Sequence, residues 1–179
     1  MLKILVAFVA SLFGVTSAFA EGFSDLHLRS FISLGFGVVL NAPDSWRETS
    51  GSQFFQVVDP VTNAQFTSSG YEAGEDLTLQ HFASWRFSVV DQKMPYLKQV
   101  KVAYTLHGKA WEGIAAEYQG AFPGNPFESY YLVLCILKNK TAISFTITSP
   151  LDAFEKNEAL YRWLLSNQLD VLKVVPVNG

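Results

Sequence analysis

The chain carries Tyr130-Tyr131-Leu132-Val133-Leu134-Cys135-Ile136-Leu137, a run without charged residues that has apolar side chains at both odd and even positions. Successive side chains of a strand point to opposite faces of the sheet, so a strand with one wet face alternates apolar and polar residues. This run does not alternate. It therefore predicts a strand in the interior of a sheet, with apolar side chains on both of its faces.

The sequence around this run predicts further strands of the same sheet. Apolar residues alternate there with small or polar ones, which is the period of a half-buried strand. Short turns such as Gly108-Lys109 and Asn139-Lys140 join neighbouring strands and make them antiparallel. Strands are predicted at residues 35–40, 54–58, 64–69, 100–106, 114–118, 130–137 and 143–148.

Two segments have the period of a helix instead. Asp76 or Thr78 can cap the first, which is predicted to run to about Asp91 with Trp85 beside its apolar face. Ser149-Pro150-Leu151-Asp152 is similar to a capping box at the start of the second. The apolar stripe of the second helix consists of Phe154, Tyr161, Leu165, Leu169 and Leu172.

The element order is therefore three strands, a helix, four strands and a helix. Amphipathic helices bury their apolar stripe on a sheet, so we expect an α+β fold: a two-layer sandwich with two principal helices and a mainly antiparallel sheet of six or seven strands. On such a sheet, the face away from the helices carries an apolar strip among Thr, Ser and Lys neighbours. Either loops and the segment 21–33 cover that strip, or a partner protein binds it through Tyr130, Leu132 and Leu134.

The first twenty residues predict a secretory signal peptide. Lys3 precedes an apolar run from Ile4 to Val15, and Ala18-Phe19-Ala20 is a small-residue cleavage site before Glu21. The run is too short for a helix that spans a membrane. We expect residues 1–20 to be a signal peptide, 21–33 an N-terminal lead-in and 34–179 one domain, located in the periplasm or secreted, with no stable membrane insertion after cleavage.

Charge and composition restrict the partners. The chain has 16 acidic and 13 basic residues, with no basic cluster of the kind that neutralises nucleic-acid phosphates. We therefore expect no nucleic-acid partner. Cys135 is the only cysteine and lies in the apolar run, which is typical of a small buried side chain and not of a reactive thiol.

No motif predicts a catalytic residue, a cofactor or a metal centre. The three histidines, His27, His81 and His107, have separations that match no compact ligand motif. Glu72, Glu75 and Asp76 form an acidic cluster before the first predicted helix. They either complement the positive end of that helix or bind a hard cation through carboxylate oxygens.

The order of elements and three local motifs resemble the PsbP-like fold, which is shared with a Ran-binding nuclear import factor and DcrB-type periplasmic proteins. The motifs are the opening strand with Pro43 and Trp46, the turn Gly108-Lys109-Ala110-Trp111, and the strand Ile143–Thr148 leading into the last helix. The resemblance implies a non-enzymatic binding or assembly protein. It transfers no functional residue, because the shared motifs are structural.

Three functions follow as hypotheses. The first is an exported, non-catalytic binding protein with a protein partner. The second, a special case of the first, is a periplasmic immunity or assembly factor for one protein, for which the acidic balance suits a basic partner. The third is an enzyme whose site is assembled from residues that are distant in sequence.

Overall fold

The structure of the chain is a computed structural model, and it describes residues 22–23 and 25–174. The predicted signal peptide lies outside the described residues. The described elements are β1 (Leu28–Ser33), β2 (Val38–Pro43), β3 (Arg47–Glu48), β4 (Phe55–Val58), β5 (Gln65–Glu72), α1 (Leu79–Lys93), β6 (Lys98–His107), β7 (Glu112–Ala121), β8 (Glu128–Lys138), β9 (Thr141–Pro150), α2 (Leu151–Gln168) and β10 (Leu169–Val171).

The strands form two antiparallel sheets. The large sheet has seven strands in the order β3-β4-β5-β9-β8-β7-β6, and the small sheet has the order β1-β2-β10. The predicted α+β class, the antiparallel sheet of six or seven strands and the two principal helices are confirmed. Strand β8 pairs with β7 on one side and β9 on the other, so the interior position predicted from its two-sided apolar pattern is also confirmed.

The two faces of β8 belong to two separate cores. Leu132, Leu134 and Ile136 pack with α2 and the small sheet, whereas Val133 and Cys135 pack with α1. The helices therefore lie on opposite faces of the large sheet, one covering each face of β8. The prediction that both helices lie on one face of the sheet is therefore wrong, because helical periodicity indicates that a stripe is buried but not which face of the sheet covers it.

The segment predicted as a lead-in contains a strand of the fold. Leu28–Ser33 pairs along its whole length with β2, and Phe31 is buried in the core on the α2 side. The turn between the two strands ends at Gly37, whose φ of +66° is a left-handed conformation that glycine adopts without strain. For this reason β2 begins at Val38 and not at Gly35 as predicted.

The second helix starts and ends differently from the prediction. Pro150 is its N-cap and makes no side-chain capping bond, because the proline ring has no hydrogen-bonding group. The Ser149 hydroxyl donates to the Pro150 carbonyl and caps no N–H of the helix. The helix ends at Gln168, and Leu169 and Val171 then pair with Leu40 and Val38 as part of β10. Leu169, which was predicted in the apolar stripe of the helix, thus belongs to a short strand. Its side chain and that of Val171 are buried in the core on the α2 side.

Candidate functional site

The predicted partner strip is inside the protein. Tyr130, Leu132 and Leu134 are almost completely buried, and the Tyr130 ring stacks on Phe154 of α2 with the centroids 3.4 Å apart. Since α2 and the small sheet cover this face, these three side chains form core contacts and do not present a binding surface. The prediction that these three residues bind a partner is therefore wrong. The structure instead shows the alternative, in which other parts of the same chain cover the apolar strip.

The acidic residues before α1 lie on the surface without forming a ligand set. Glu72, Glu75 and Asp76 are exposed, and the Glu75 carboxylate accepts from the Lys140 ammonium at 2.7 Å. In residues 22–23 and 25–174, no group of three or more His, Cys, Asp and Glu side chains is placed to hold a metal ion. The structure therefore does not bring the three carboxylates together around a cation.

The described surface carries an aromatic cluster on the flank of α1 that faces β5. Phe82 is buried, Trp85 lies parallel to it at 6.3 Å, and Tyr71 of β5 meets it edge-on at 5.9 Å. Trp85 is 56% exposed and Tyr71 is 45% exposed. We call Tyr71 and Trp85, with Phe82 beneath them, the aromatic patch. Large exposed aromatic groups that border a polar surface are typical of contact sites.

Polar side chains occupy the sheet face beside this patch. Thr67 and Ser69 of β5 pair with Thr146 and Ser144 of β9 on the face that α1 partly covers. Arg86 of α1 donates through Nε to the Ser144 hydroxyl at 2.8 Å, which fixes the helix to the sheet. The aromatic patch is thus carried by a helix with a defined position and not by a loop.

The acidic loop is continuous with the patch. Residues 73–78 connect β5, which carries Tyr71, to α1, which carries Trp85. Glu75 and Asp76 lie in this connecting segment and form an acidic rim at one end of the aromatic patch, whereas Glu72 directly follows Tyr71 in β5, so its side chain points to the opposite face of the sheet. Within the part of the chain that the structure describes, Glu75 forms an ion pair with Lys140. The combination is an apolar centre with an acidic rim.

A separate cluster of charged and polar side chains lies under α2. The Glu117 carboxylate of β7 accepts from the Tyr104 hydroxyl and, at 3.1 Å, from Nη2 of Arg162, whose Nε donates to Glu158 at 2.7 Å. Lys101 approaches the same carboxylate at 3.4 Å. The Glu117 side chain is only 6% exposed. This arrangement neutralises a carboxylate that would otherwise be buried at high cost.

The electrostatics of this cluster favour the ionised carboxylate. Burial alone would raise the pKa of Glu117, but the Tyr104 hydrogen bond and the charges of Arg162 and Lys101 outweigh it and hold that pKa below its usual range. Burial and the bond to Glu117 raise the pKa of Tyr104 to about 12. Both groups therefore keep one protonation state near neutral pH, and neither is poised to transfer a proton.

Neither cluster was predicted from the sequence. Trp85 was placed beside the apolar face of its helix, and it does lie outside the buried stripe of Phe82, Ala83 and Val90, but its exposure and its ring contacts were not predicted. Glu117 lies in the strand predicted at residues 114–118, in which Ile114, Ala116 and Tyr118 alternate with Ala115 and Glu117, and its burial was not predicted. The available signal was the absence of any other charged residue between Ile114 and Tyr118, which is unusual for a solvated strand face.

Cys135 is a structural residue, as predicted. Its side chain is completely buried between β8 and α1, and burial raises the pKa of its thiol to about 12. A thiol with such a pKa forms almost no thiolate at neutral pH.

Neither helix in the described part of the chain combines the length and the apolar character that a membrane-spanning helix requires.

Comparisons with known proteins give a likeness in structure only. No family model matches the chain, and no curated protein matches it in sequence. CyanoP, the cyanobacterial PsbP of Synechocystis sp. PCC 6803, is similar with a TM-score of 0.60 and 15% identity, over 84% of this chain and 95% of CyanoP. LpqN of Mycobacterium tuberculosis, described as involved in cell envelope biogenesis, has a TM-score of 0.60 and 12% identity, over 86% of this chain and 96% of LpqN.

A third similar structure is PA94 of Pseudomonas aeruginosa, a protein of unknown function described as a putative regulator. It has a TM-score of 0.52 and 15% identity, over 78% of this chain and 94% of PA94. Together these similarities show that the chain has a PsbP-like α+β fold. They do not show the resemblance to the Ran-binding nuclear import factor.

Proposed function

We propose that the protein is an exported, non-catalytic binding protein that contacts a protein partner through the aromatic patch. The observation that carries this proposal is the exposure of Trp85 and Tyr71 on a helix flank that is anchored to the sheet. Trp and Tyr dominate binding energy at protein interfaces because they bury a large area with little loss of side-chain entropy. A rigid aromatic pair beside a polar surface fits that role.

The acidic rim restricts the chemistry of the partner. The exposed residues Glu75 and Asp76 lie in the segment that connects the strand of Tyr71 to the helix of Trp85, and the whole chain has an excess of acidic residues. Charge complementarity steers association and suppresses partners of like charge. The partner is therefore a protein segment with apolar residues to cover Trp85 and with basic residues to meet the rim.

Export and a location in the cell envelope are part of the same proposal. The predicted cleavage after Ala20 supports export, and the similarity to LpqN, a protein involved in cell envelope biogenesis, is consistent with it. The intact mass of the protein recovered from an envelope fraction tests this directly, because cleavage leaves Glu21 as the first residue.

A binding role is favoured over catalysis by the state of the buried charged cluster. Glu117 is enclosed by Tyr104, Arg162 and Lys101, which satisfy its oxygens from within the protein. In this arrangement the oxygens of Glu117 are occupied by donors from the protein itself, so this cluster offers no free acid or base to a substrate. An immunity or assembly factor for one protein is a narrower form of the same proposal.

The test compares Trp85→Ser with wild type in binding two amphipathic peptides, one rich in lysine and one acidic, with the same apolar residues. Quenching of tryptophan fluorescence by acrylamide reports binding, because Trp46 and Trp111 are buried, Trp163 is partly buried, and Trp85 is the most exposed of the four tryptophans. We expect the basic peptide to shield Trp85 in wild type. For Trp85→Ser, binding is measured by isothermal titration calorimetry. We expect this variant to bind the basic peptide at least about tenfold more weakly than wild type does.

Phe127→Ser is the matched control, since Phe127 is an exposed aromatic residue in the loop between β7 and β8, at the end of the large sheet opposite Tyr71. It should bind like wild type. Equal binding of the acidic peptide, or unchanged affinity in Trp85→Ser, contradicts the proposal. A raised salt concentration should weaken binding of the basic peptide, because charges on the rim are exposed and screened.

A further inference from the structure

A polar cleft lies at the end of the large sheet opposite the aromatic patch. It has a volume of about 370 Å³ and lies between the β4–β5 turn and the β7–β8 loop, where β9 leads into α2. The register places Gln65 beside Thr148 here, whereas Tyr71 pairs with Ala142 at the other end of the same two strands. The cleft is therefore separate from the aromatic patch.

The lining of this cleft is uncharged, polar and partly aromatic. The polar side chains are those of Asn63, Gln65, Asn125, Ser129, Thr148 and Ser149, and the apolar ones are those of Phe122 and Pro150. In the described part of the chain, no charged side chain lines the cleft. Amide and hydroxyl groups both donate and accept hydrogen bonds, whereas an anion or a cation is normally held by opposite charge. The chemistry therefore matches a neutral ligand with many hydroxyl groups.

Most of these polar groups have hydrogen-bonding capacity to spare. Ser129 is 6% exposed, and its hydroxyl forms no hydrogen bond with the described residues, although it is not one of the fully buried hydroxyls that lack a partner. A hydroxyl that is open to the cleft and has no intramolecular bond can donate to a ligand and accept from it. Asn125 accepts from the Phe127 backbone N–H through Oδ1, which leaves its amide NH₂ free to donate.

Both loops are fixed before any ligand binds. The Asp59 carboxylate accepts from the Val61 N–H and from the Thr62 hydroxyl, and that hydroxyl also lies 2.9 Å from the Tyr161 hydroxyl of α2. These bonds hold the turn that carries Asn63. On the other side, the Phe122 ring packs against Tyr96 at 5.3 Å. Preorganisation of this kind lowers the entropic cost of binding a small ligand.

We propose that this cleft binds a neutral saccharide unit. Its hydroxyl groups bond to the amide and hydroxyl side chains of Asn63, Gln65, Asn125, Ser129 and Thr148, and one face of its ring packs on Phe122. The volume is at the small end of ligand pockets, which suits one sugar unit and not a long glycan lying along the surface. The proposal is independent of the protein partner, because it uses no residue of the aromatic patch.

Nuclear magnetic resonance titration of the isotope-labelled protein tests the proposal. The probes are glucose, N-acetylglucosamine and maltose as neutral saccharides, glucose-6-phosphate as an anionic counterpart, and glycerol as a small polyol, each at up to tens of millimolar. We expect the neutral saccharides to shift the amide signals of residues 63–65, 122, 124, 125, 127–129 and 148, and to leave those of residues 71 and 85 unchanged. Glucose-6-phosphate should bind no more tightly than glucose.

Ser129→Ala supplies the decisive comparison. The Ser129 hydroxyl has no intramolecular bond to lose, so the variant should be at least as stable as wild type, while its saccharide affinity falls about five- to tenfold. Thr148→Val should act in the same direction, and Gln92→Ala on the exposed face of α1 is the control. Absence of saturable shifts with every neutral saccharide overturns the proposal. Tighter binding of glucose-6-phosphate, equal shifts with glycerol, or unchanged affinity in Ser129→Ala does so as well.

Discussion

At the scale of single residues, Glu117 has the strongest electrostatic role of the described carboxylates. It is buried under α2 and receives bonds from Tyr104 on the neighbouring strand and from Arg162 on the helix. The cluster therefore connects β6 and β7 to α2, although α2 packs mainly on β2, β8 and β9. A buried carboxylate with several donors has a lowered pKa, and such a shift makes stability depend on pH.

We predict that Glu117→Gln lowers the free energy of unfolding at neutral pH by about 1–3 kcal/mol, because bonds to a charged group are stronger than those to an amide. The folded pKa of Glu117 lies below its ordinary value of 4.5, so the charge stabilises the fold above that pH. This contribution is lost as the pH falls through the folded pKa. Urea denaturation at a series of pH values should show the two proteins converging below pH 4.5.

Glu158→Gln is the control for this experiment, because Glu158 bonds to the same Arg162 but is much more exposed. Its effect should not exceed about 0.5 kcal/mol, the value of an exposed pair one helical turn apart. An effect of Glu117→Gln that is equally small, or that does not change with pH, would show that the cluster is not electrostatically coupled to folding.

At the scale of elements, the sequence predicted what local chemistry determines. Thr78 caps α1 as expected, with its hydroxyl accepting from the His81 N–H. Asn139-Lys140 forms the predicted tight turn between β8 and β9. Strands β1, β3 and β10 were missed because each is short or mixed in composition, and pairing with another strand stabilises them more than their own pattern does.

The β8–β9 turn offers a test of backbone strain. Asn139 and Lys140 have φ values of +53° and +61°, and a lysine in this left-handed region is strained whereas glycine is not. Both Lys140→Gly and Lys140→Ala remove the exposed ion pair with Glu75. We predict that the glycine variant is the more stable of the two by about 1 kcal/mol, measured by thermal or urea unfolding. A more stable alanine variant would mean that the turn does not hold these angles in solution.

At the scale of the whole molecule, periodicity predicted that β8 is interior, but it did not predict how each face is covered. Helix α1 covers one face, and α2 with the small sheet covers the other. That choice depends on which strands lie side by side, and pairs distant in sequence such as β5–β9 are not encoded in any local pattern. The two sites were not predicted for the same reason, because the aromatic patch and the polar cleft each consist of residues from separate elements.

Because β8 is shared, the two cores should unfold as one unit. Leu134 belongs to the α2-side core and Val133 to the α1-side core, and both are fully buried. We predict that Leu134→Ala costs about 2–5 kcal/mol and that Val133→Ala costs on the order of 2 kcal/mol. Amide hydrogen exchange should show that each variant accelerates exchange in both helices, because loss of β8 pairing exposes both faces at once.

Val102→Ala is the control, since Val102 is largely exposed on the edge strand β6 and its truncation should change stability by no more than about 0.5 kcal/mol. The contrary result is a separation of the two sides: faster exchange only in α1 for Val133→Ala and only in α2 for Leu134→Ala. In that case α1 would open without the rest of the fold, and the aromatic patch that it carries would not be held rigidly for a partner.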